Sequence, residues 1–215
     1  MPDTERDLPL FPLNVVLFPS TGIPLHVFEL RYQALVADVL AVDGLFGISL
    51  IKAGQEVGGP ALPYEVGTLA SIQDLAELGG GRVAFNAMGI QRFHVLHLLD
   101  GKPYLRARVR LLPEDTAPVP ATLVDQTREA FFAYTEAARG MTGGWLYEKC
   151  KQVDGAELSY LIATAMEATG DVQQALLETD SHLARLQQEL ELLQHETQLL
   201  RQNPRGPRRM PFGLN

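Results

Sequence analysis

Several kinds of functional site are excluded by what the sequence has little of. Cys150 is the only cysteine among the 215 residues, so neither an intramolecular disulfide nor a zinc cluster of thiolates is available. Tryptophan occurs once, and 18 basic residues are outnumbered by 26 acidic ones. No apolar run reaches the roughly 18–20 residues that a membrane-spanning helix needs. These shortages predict a protein of a reducing compartment that has no membrane span.

The distribution of charge argues against broad nucleic-acid binding. The formal net charge is −8, yet four arginines lie in the last fifteen residues, where no acidic residue occurs. Without them, 14 basic residues face 26 acidic ones, which leaves about −12 on the rest of the chain. A surface this acidic repels phosphate backbones. The apolar start, Leu8 to Pro19, is broken by prolines and preceded by acidic residues, so we expect no secretory signal and a cytoplasmic location.

Two halves of the chain differ in their hydrophobic period. Residues 8–112 predict a β-rich lobe, residues 113–120 a proline-rich linker, and residues 121–202 a helical bundle. The clearest strand is Leu105–Leu111, where apolar and cationic side chains alternate. Residues 203–215 form an Arg/Pro-rich tail that we expect to be disordered.

Glycines and capping residues place several turns and helix ends. Gly79-Gly80-Gly81 predicts a hairpin connection, and a glycine inside the following strand, Gly89, predicts a bulge or bend. The helix over residues 30–42 is expected to bury Leu30, Leu35, Val39 and Val42 along one side and to end before Gly44. Later helices are predicted over residues 121–139, ending at Gly140, from Asp154 with its capping Glu157, from Asp171, and along a leucine seam from Leu183 to Leu200. We favour bundle packing for that seam over pairing with another chain.

Each candidate catalytic or metal site fails on its spacing or context. The glycines at 79–81 precede Arg82 and a strand, whereas a phosphate-binding loop needs Gly-Lys-Ser/Thr and a helix. His94 and His97 are three apart on a strand, a spacing that points them to opposite faces. Cys150 lies between two lysines, but we interpret this as chance placement in a linker between helices. The sequence predicts a non-catalytic protein with no cofactor.

A series of short motifs in fixed order carries a more specific signal. It begins with a proline-framed run, Leu8–Pro19, followed by Pro24–Glu29 and Arg31-Tyr32. It continues with Gly47-Ile48, Tyr64–Ile72, Gly89-Ile90-Gln91-Arg92-Phe93, Pro103-Tyr104-Leu105, and Glu178-Thr179-Asp180 before Leu183, Arg185 and Leu186. This series, from about residue 8 to 202, resembles the N-terminal substrate-binding domain of Lon proteases.

The same motif residues have structural roles that we expect to dominate. Gly67 and Gly89 are interpreted as backbone devices, needed where a side chain would clash or where φ is positive. The phenylalanines are expected in the core, and Arg92 is expected to anchor a buried carboxylate or loop carbonyls. These phenylalanines are Phe11, Phe18, Phe28 and Phe93.

The resemblance implies an α+β fold and a binding function. It implies a PUA-like β pseudo-barrel lobe of about six strands and one helix, followed by a helical bundle. It also implies a non-catalytic module that binds unfolded or exposed polypeptide segments. In complete Lon proteases an ATPase and a Ser–Lys peptidase follow this domain. This sequence has no nucleotide motif and no room for either, so we expect no ATP-dependent proteolysis from it. A separate protease or chaperone, or a second copy of the chain, are further candidate partners.

The candidate contact element is the glycine- and proline-rich segment Lys52–Pro63, which we expect to be a long, mobile loop beside the barrel. The residues that we select there as partner contacts are Lys52, Gln55, Glu56, Pro60 and Leu62. An alternative function is RNA binding, because PUA-like barrels often bind RNA and one strand face carries three arginines, Arg106, Arg108 and Arg110. An enzyme with an unrecognised site is a third alternative.

Overall fold

The fold mixes a strand-rich first part with helices that mostly follow it. The computed structural model describes residues 5–59, 61–138 and 144–202, with only the backbone for 144–147. Within these ranges there are seven strands, one more than the about six expected, and six helices. The strands are β1 (Glu5–Leu13), β2 (Gly22–Val27), β3 (Leu45–Gly54), β4 (Ala61–Pro63), β5 (Val66–Gly79), β6 (Arg82–Leu99) and β7 (Leu105–Leu111). The helices are α1 (Leu30–Leu40), α2 (Ala121–Ala137), α3 (Gly144–Gln152), α4 (Gly155–Ala165), α5 (Gly170–Glu178) and α6 (His182–Gln202).

Three expectations concern residues that lie outside the described ranges. They are the helix end at Gly140, the contact residue Pro60 and the tail 203–215.

The seven strands form one sheet that closes on itself. Its order is β1-β7-β6-β5-β3-β4, and β2 pairs with β6 beside this path. β1 also pairs with β3 in parallel, with Leu10 opposite Gly47 and Leu13 opposite Leu50, whereas the other pairings are antiparallel. The β1–β3 pairing joins the two sides of the sheet into a barrel, which confirms the fold class expected from the sequence.

Glycines decide where the strands turn and approach each other. Gly79, Gly80 and Gly81 all have positive φ and connect β5 to β6, as predicted. At Gly89 the β5–β6 register shifts, and a side chain there would collide with the carbonyl oxygen of Phe18. A Cβ on Gly67 would lie 2.5 Å from the carbonyl oxygen of Ile48. These two clashes explain why both motif positions require glycine, and neither residue has a positive φ.

Two apolar clusters fill the interior of the strand-rich part. The larger one packs α1 through Leu35 and Val39 against the barrel and includes Phe11 and Tyr32, whose rings stack at 4.0 Å. The smaller cluster contains Phe93. Leu105–Leu111 alternates as predicted, with its alanine and its valine fully buried.

Two apolar positions of α1 are not buried as expected. Leu30 is 82% exposed and Val42 is 83% exposed, whereas Leu35 and Val39 are buried. The expectation that Phe28 lies in the core is also wrong, because its side chain is 58% exposed. Phe11, Phe18 and Phe93 are buried, as expected. These residues lie at or beyond the ends of α1, where the helical period no longer determines which side is covered.

The described chain divides into two compact units. The residues up to Glu114 form the first unit together with Thr169–Glu178, and Asp115–Ala168 with the residues from Thr179 form the second. Helix α5 therefore belongs to the strand-rich unit although it follows α4 in sequence. Asp171 does not precede α5, as expected for a cap, but lies in its first turn. The boundaries proposed from the sequence at 113–120 and 202 stay predictions.

The second unit consists of helices packed around α6. Leu186 and Leu193 of α6 are fully buried, and α6 packs against α2 and α4. The N-cap of α4 is as predicted, because the Asp154 carboxylate accepts a hydrogen bond from the Glu157 N–H at 2.9 Å. No helix in the described part of the chain has the length and apolar character to cross a membrane.

Candidate functional site

The segment proposed as the contact loop is a β-hairpin. β3 continues to Gly54 and pairs with β4, with Ala53 opposite Leu62 and Ile51 opposite Pro63. The expectation of a long loop without secondary structure is therefore wrong. The register shift between Ile51 and Ala53 is a bulge, which lets the hairpin bend as it leaves the barrel.

A salt-bridged pair at the start of α1 holds the turn of this hairpin. The Arg31 guanidinium donates to the carbonyl oxygens of Gly59 at 2.8 Å and Glu56 at 3.0 Å. The Glu29 carboxylate lies 3.1 Å from the same guanidinium and accepts from the Gly58 N–H at 3.2 Å. Charged groups thus satisfy the backbone of the turn, an arrangement that fixes its position. The Arg31 guanidinium also lies 4.5 Å from the centre of the Tyr32 ring, a cation–π contact. Burial raises the pKa of the Tyr32 hydroxyl.

Four large apolar side chains remain exposed on the hairpin and beside Glu29 in sequence. Val57 is 54% exposed and Leu62 51% exposed on the hairpin, and Phe28 and Leu30 flank Glu29 in sequence. We call Phe28, Leu30, Val57 and Leu62 the hairpin patch. Exposed apolar groups on a backbone fixed by charged hydrogen bonds are typical of a recognition surface rather than of a loosely packed core.

The selected contact residues differ in what they contact. Leu62 belongs to the hairpin patch and Gln55 is exposed at the start of the turn. The Glu56 carboxylate accepts from the Asn14 N–H at 3.1 Å, so it helps to attach the turn to the barrel. The Lys52 ammonium lies 5.8 Å from the centre of the Tyr64 ring. The sequence interpretation expected Phe28 and Leu30 to be buried and so did not select them. For Phe28 a signal existed, because an aromatic residue directly before the helix start lies outside the periodic stripe of α1.

The arginine row of β7 is paired with acidic residues of β1. Arg110 lies 2.9 Å from the Glu5 carboxylate and Arg108 lies 3.2 Å from that of Asp7. Arg106 lies 3.8 Å from Asp7. The hydrogen bond from Arg110 lowers the pKa of Glu5. These contacts turn the proposed RNA-binding face into an ion-pair ladder between neighbouring strands, which reduces the positive charge available for phosphates.

The expected opposite orientation of His94 and His97 is wrong. An extra residue between Val95 and His97 forms a β-bulge, so His94 pairs with Arg110 and His97 with Arg108. Residues two apart on β7 share a face, and cross-strand partners share it with them. The bulge therefore puts both histidines on the arginine face. Among the described residues, no group of three or more metal-ligating side chains is assembled there or elsewhere.

Cys150 has the environment of a structural thiol. It lies inside α3, not in a linker as interpreted from the sequence, and it is fully buried. Burial raises the pKa of the thiol to about 11, despite the nearby guanidinium of Arg128 and ammonium of Lys149. A thiol with this pKa is protonated at neutral pH and is a poor nucleophile.

Comparison with known proteins gives one consistent result. Residues 7–195 match the family described as the ATP-dependent protease La (LON) substrate-binding domain. Over 208 residues the chain is 30% identical to "Lon protease 2" of Myxococcus xanthus, covering 93% of the chain and 25% of that protein. "Lon protease" of Anaeromyxobacter dehalogenans is also 30% identical, over 93% of the chain and 24% of that protein. The chain thus spans about a quarter of the length of these curated relatives.

Solved structures show the same similarity over almost their full length. A Lon N-terminal domain protein from Xanthomonas campestris has a TM-score of 0.64 and 26% identity, covering 86% of this chain and 98% of that one. The N-terminal domain of a Mycobacterium avium complex Lon protease has a TM-score of 0.69 at 17% identity, over 88% of this chain and 98% of that one, which shows the shared fold. With the sequence match over residues 7–195, the chain belongs to the ATP-dependent protease La (LON) substrate-binding domain family.

Proposed function

We propose that this chain recognises unfolded polypeptides by binding their apolar segments on the hairpin patch. The observation that carries the proposal is the exposure of Phe28, Leu30, Val57 and Leu62 around a turn that Arg31 and Glu29 hold in place. A module that recognises substrates needs such a surface, because unfolded chains differ from folded ones mainly in exposing large apolar side chains.

The edge of the sheet beside the patch supports the same function. β4 is the terminal strand of the sheet path and pairs only with β3 among the described residues. Because consecutive residues of a strand direct their backbone groups to opposite edges, only alternate residues of β4 can pair with an extended segment on its outer edge, and Pro63 offers no N–H. Apolar contacts with the patch and a few backbone hydrogen bonds along this edge together suit extended polypeptides.

The proposed activity needs neither a cofactor nor a charged ligand. We expect the affinity to depend on apolar burial and thus to change little between low and moderate salt. The lone buried cysteine also supports our proposal of a reducing, cytoplasmic location.

The test is the affinity for a reduced and alkylated test protein, labelled with fluorescein and followed by fluorescence anisotropy. The double variant Leu30→Ser/Leu62→Ser removes two exposed apolar side chains, and we expect it to weaken binding about tenfold or more. Val42→Ser is the matched control, because Val42 is as exposed as Leu30 but lies beyond the opposite end of α1. Equal affinities of wild type and double variant, with unchanged melting temperatures, would disprove the hairpin patch as the binding site.

A further inference from the structure

The solvent side of helix α1 is apolar along its whole length. Leu30 at its start is 82% exposed and Leu40 at its end is 48% exposed. Ala37 and Ala41 are exposed as well. A surface helix normally directs polar side chains to the solvent, as α6 does with Gln187, Glu191 and His195. A helix that is apolar on both sides is typical of one that is covered on both sides.

Four apolar residues form a line on this solvent side. They are separated by four, three and four residues, the spacing that places side chains above one another on a helix. Leu35 and Val39 point into the barrel from the opposite side. We call these four residues the α1 stripe: Leu30, Ala34, Ala37 and Ala41.

The two charged residues of α1 lie on one flank of the stripe and bind groups of their own chain. Arg31 holds the hairpin turn through the carbonyl oxygens of Glu56 and Gly59. The Asp38 carboxylate accepts hydrogen bonds from the Lys102 ammonium, at 2.8 Å, and from the Tyr104 hydroxyl. Because both charges are engaged beside the stripe, its apolar side chains stay open to solvent.

We infer that a second copy of the chain covers this face, with the two α1 helices packed antiparallel about a twofold axis. A twofold contact has to be self-complementary. In the antiparallel arrangement Leu30 of each copy lies opposite Ala41 of the other, a large side chain against a small one. Ala34 then lies opposite Ala37, where small side chains let the helices approach closely. A parallel arrangement would set Leu30 against Leu30 and leave a gap between the alanines at the other end.

The charges beside the stripe fit the same arrangement. Arg31 and Asp38 are seven residues apart on one flank of α1. A twofold axis perpendicular to antiparallel helices brings this flank of one copy against the same flank of the other. Each Arg31 therefore comes close to the Asp38 of the second copy, and charges of opposite sign attract across the contact.

The size of the contact predicts a weak, reversible dimer. A helix of 11 residues is about 17 Å long and about 10–12 Å wide with its side chains. One such helix face is much smaller than the surface that a permanent dimer buries, so we expect a dissociation constant above about 10 μM. This inference does not rest on polypeptide binding, although Leu30 belongs to both the α1 stripe and the hairpin patch.

Sedimentation velocity of the full chain, from about 10 μM to about 1 mM, measures the association. Ala37→Glu places a charge of the same sign on both copies in the middle of the contact, and we expect it to raise the dissociation constant at least about tenfold. The matched control is Ala175→Glu, the same change at an exposed alanine of α5, which should associate like wild type. Both positions are exposed, so both variants should keep the melting temperature of the wild type.

Single cysteine variants test the orientation of the helices. A mixture of Leu30→Cys and Ala41→Cys should form a disulfide-linked dimer in the presence of oxidised glutathione. Leu30→Cys alone should not, because its two copies would lie about 16 Å apart along the helices, whereas a disulfide needs Cα atoms within about 7 Å. Cys150 is fully buried and does not compete.

Three results would overturn the inference. They are a chain that stays monomeric at about 1 mM, association that Ala37→Glu leaves unchanged, and cross-linking of Leu30→Cys alone as fast as that of the mixture. If the chain stays monomeric and Ala37→Glu weakens binding of the unfolded test protein, the α1 stripe contacts polypeptides and the dimer is disproved. If the chain dimerises as expected while Leu30→Ser/Leu62→Ser binds the test protein like wild type, only the hairpin patch is disproved.

Discussion

The guanidinium of Arg92 donates a hydrogen bond to the carbonyl oxygen of Leu177, at 3.0 Å and 85 residues away in sequence. Arg92 lies in β6 and is 1% exposed, and Leu177 lies in the last turn of α5, where backbone carbonyls lack helical partners. Gln174 adds a second contact, donating to the Val66 carbonyl at 3.0 Å. Polar contacts from buried side chains thus hold α5 against the strands. Arg92 was expected to anchor a buried carboxylate or loop carbonyls; it has a structural role of this kind, but the carbonyl that it binds is in the last turn of a helix.

Replacing Arg92 by methionine should destabilise the strand-rich unit. The change keeps much of the side-chain volume but leaves the Leu177 carbonyl without its charged donor, at a cost of about 2–3 kcal/mol in the free energy of unfolding. Urea denaturation measures this, and amide hydrogen exchange should become faster in α5 first. Arg82→Met, on an exposed arginine of the same strand, should change stability by less than about 0.5 kcal/mol. Similar losses in both variants would argue against a specific role for Arg92.

The carboxyl group of Glu189 should make the stability of the helical unit depend on pH. Glu189 of α6 is buried, and burial raises its pKa well above 4.5, although Arg185 and a hydrogen bond from Ser159 oppose the shift. The folded state therefore holds the proton more tightly than the unfolded state. Consequently the contribution of this group to stability is largest at low pH and decreases as the pH rises above about 4.5.

The variant Glu189→Gln removes this titration. We expect the stability of wild type relative to Glu189→Gln to decrease between pH 5 and pH 8, measured by urea denaturation at each pH. The control is Glu191→Gln, at an exposed position of the same helix, whose stability relative to wild type should stay nearly constant. A constant difference for Glu189→Gln would mean that the carboxyl group has the same pKa in the folded and unfolded states.

The arginine row of β7 should contribute little to nucleic-acid binding. Replacing Arg106, Arg108 and Arg110 by glutamine removes ion pairs to Glu5 and Asp7, and exposed pairs of this kind stabilise proteins by about 0–1 kcal/mol each. We expect modest destabilisation and no effect on weak binding of single-stranded RNA, measured by fluorescence anisotropy across a salt series.

Tight RNA binding would give the opposite pattern. Its affinity would fall with a log–log slope of about −0.7 per neutralised phosphate, and it would be lost in the triple variant. That result would make RNA the ligand of this face and rank it above polypeptide binding.

What the sequence determined by itself is the local structure and the family. The alternation over Leu105–Leu111 predicts a strand with one buried face, and the three glycines predict the β5–β6 turn. Asp154 with Glu157 predicts the start of a helix. Each of these depends on residues within a few positions of one another. Their backbone angles and hydrogen bonds are set locally, so the pattern is sufficient to predict them. The ordered motifs added the fold class.

Only the tertiary structure decided which distant residues meet. The parallel pairing of β1 with β3, the contact of Arg92 with Leu177 and the ladder from Glu5 to Arg110 join residues far apart in sequence, and no periodicity encodes such partners. Strict alternation predicts that His94 and His97 point to opposite faces of β6, but the β-bulge before His97 puts both on the same face. Burial depends on what the rest of the chain covers, which the local sequence does not encode. Arg31 holds the hairpin turn at the start of α1, yet the side chains of Phe28 and Leu30 stay exposed there.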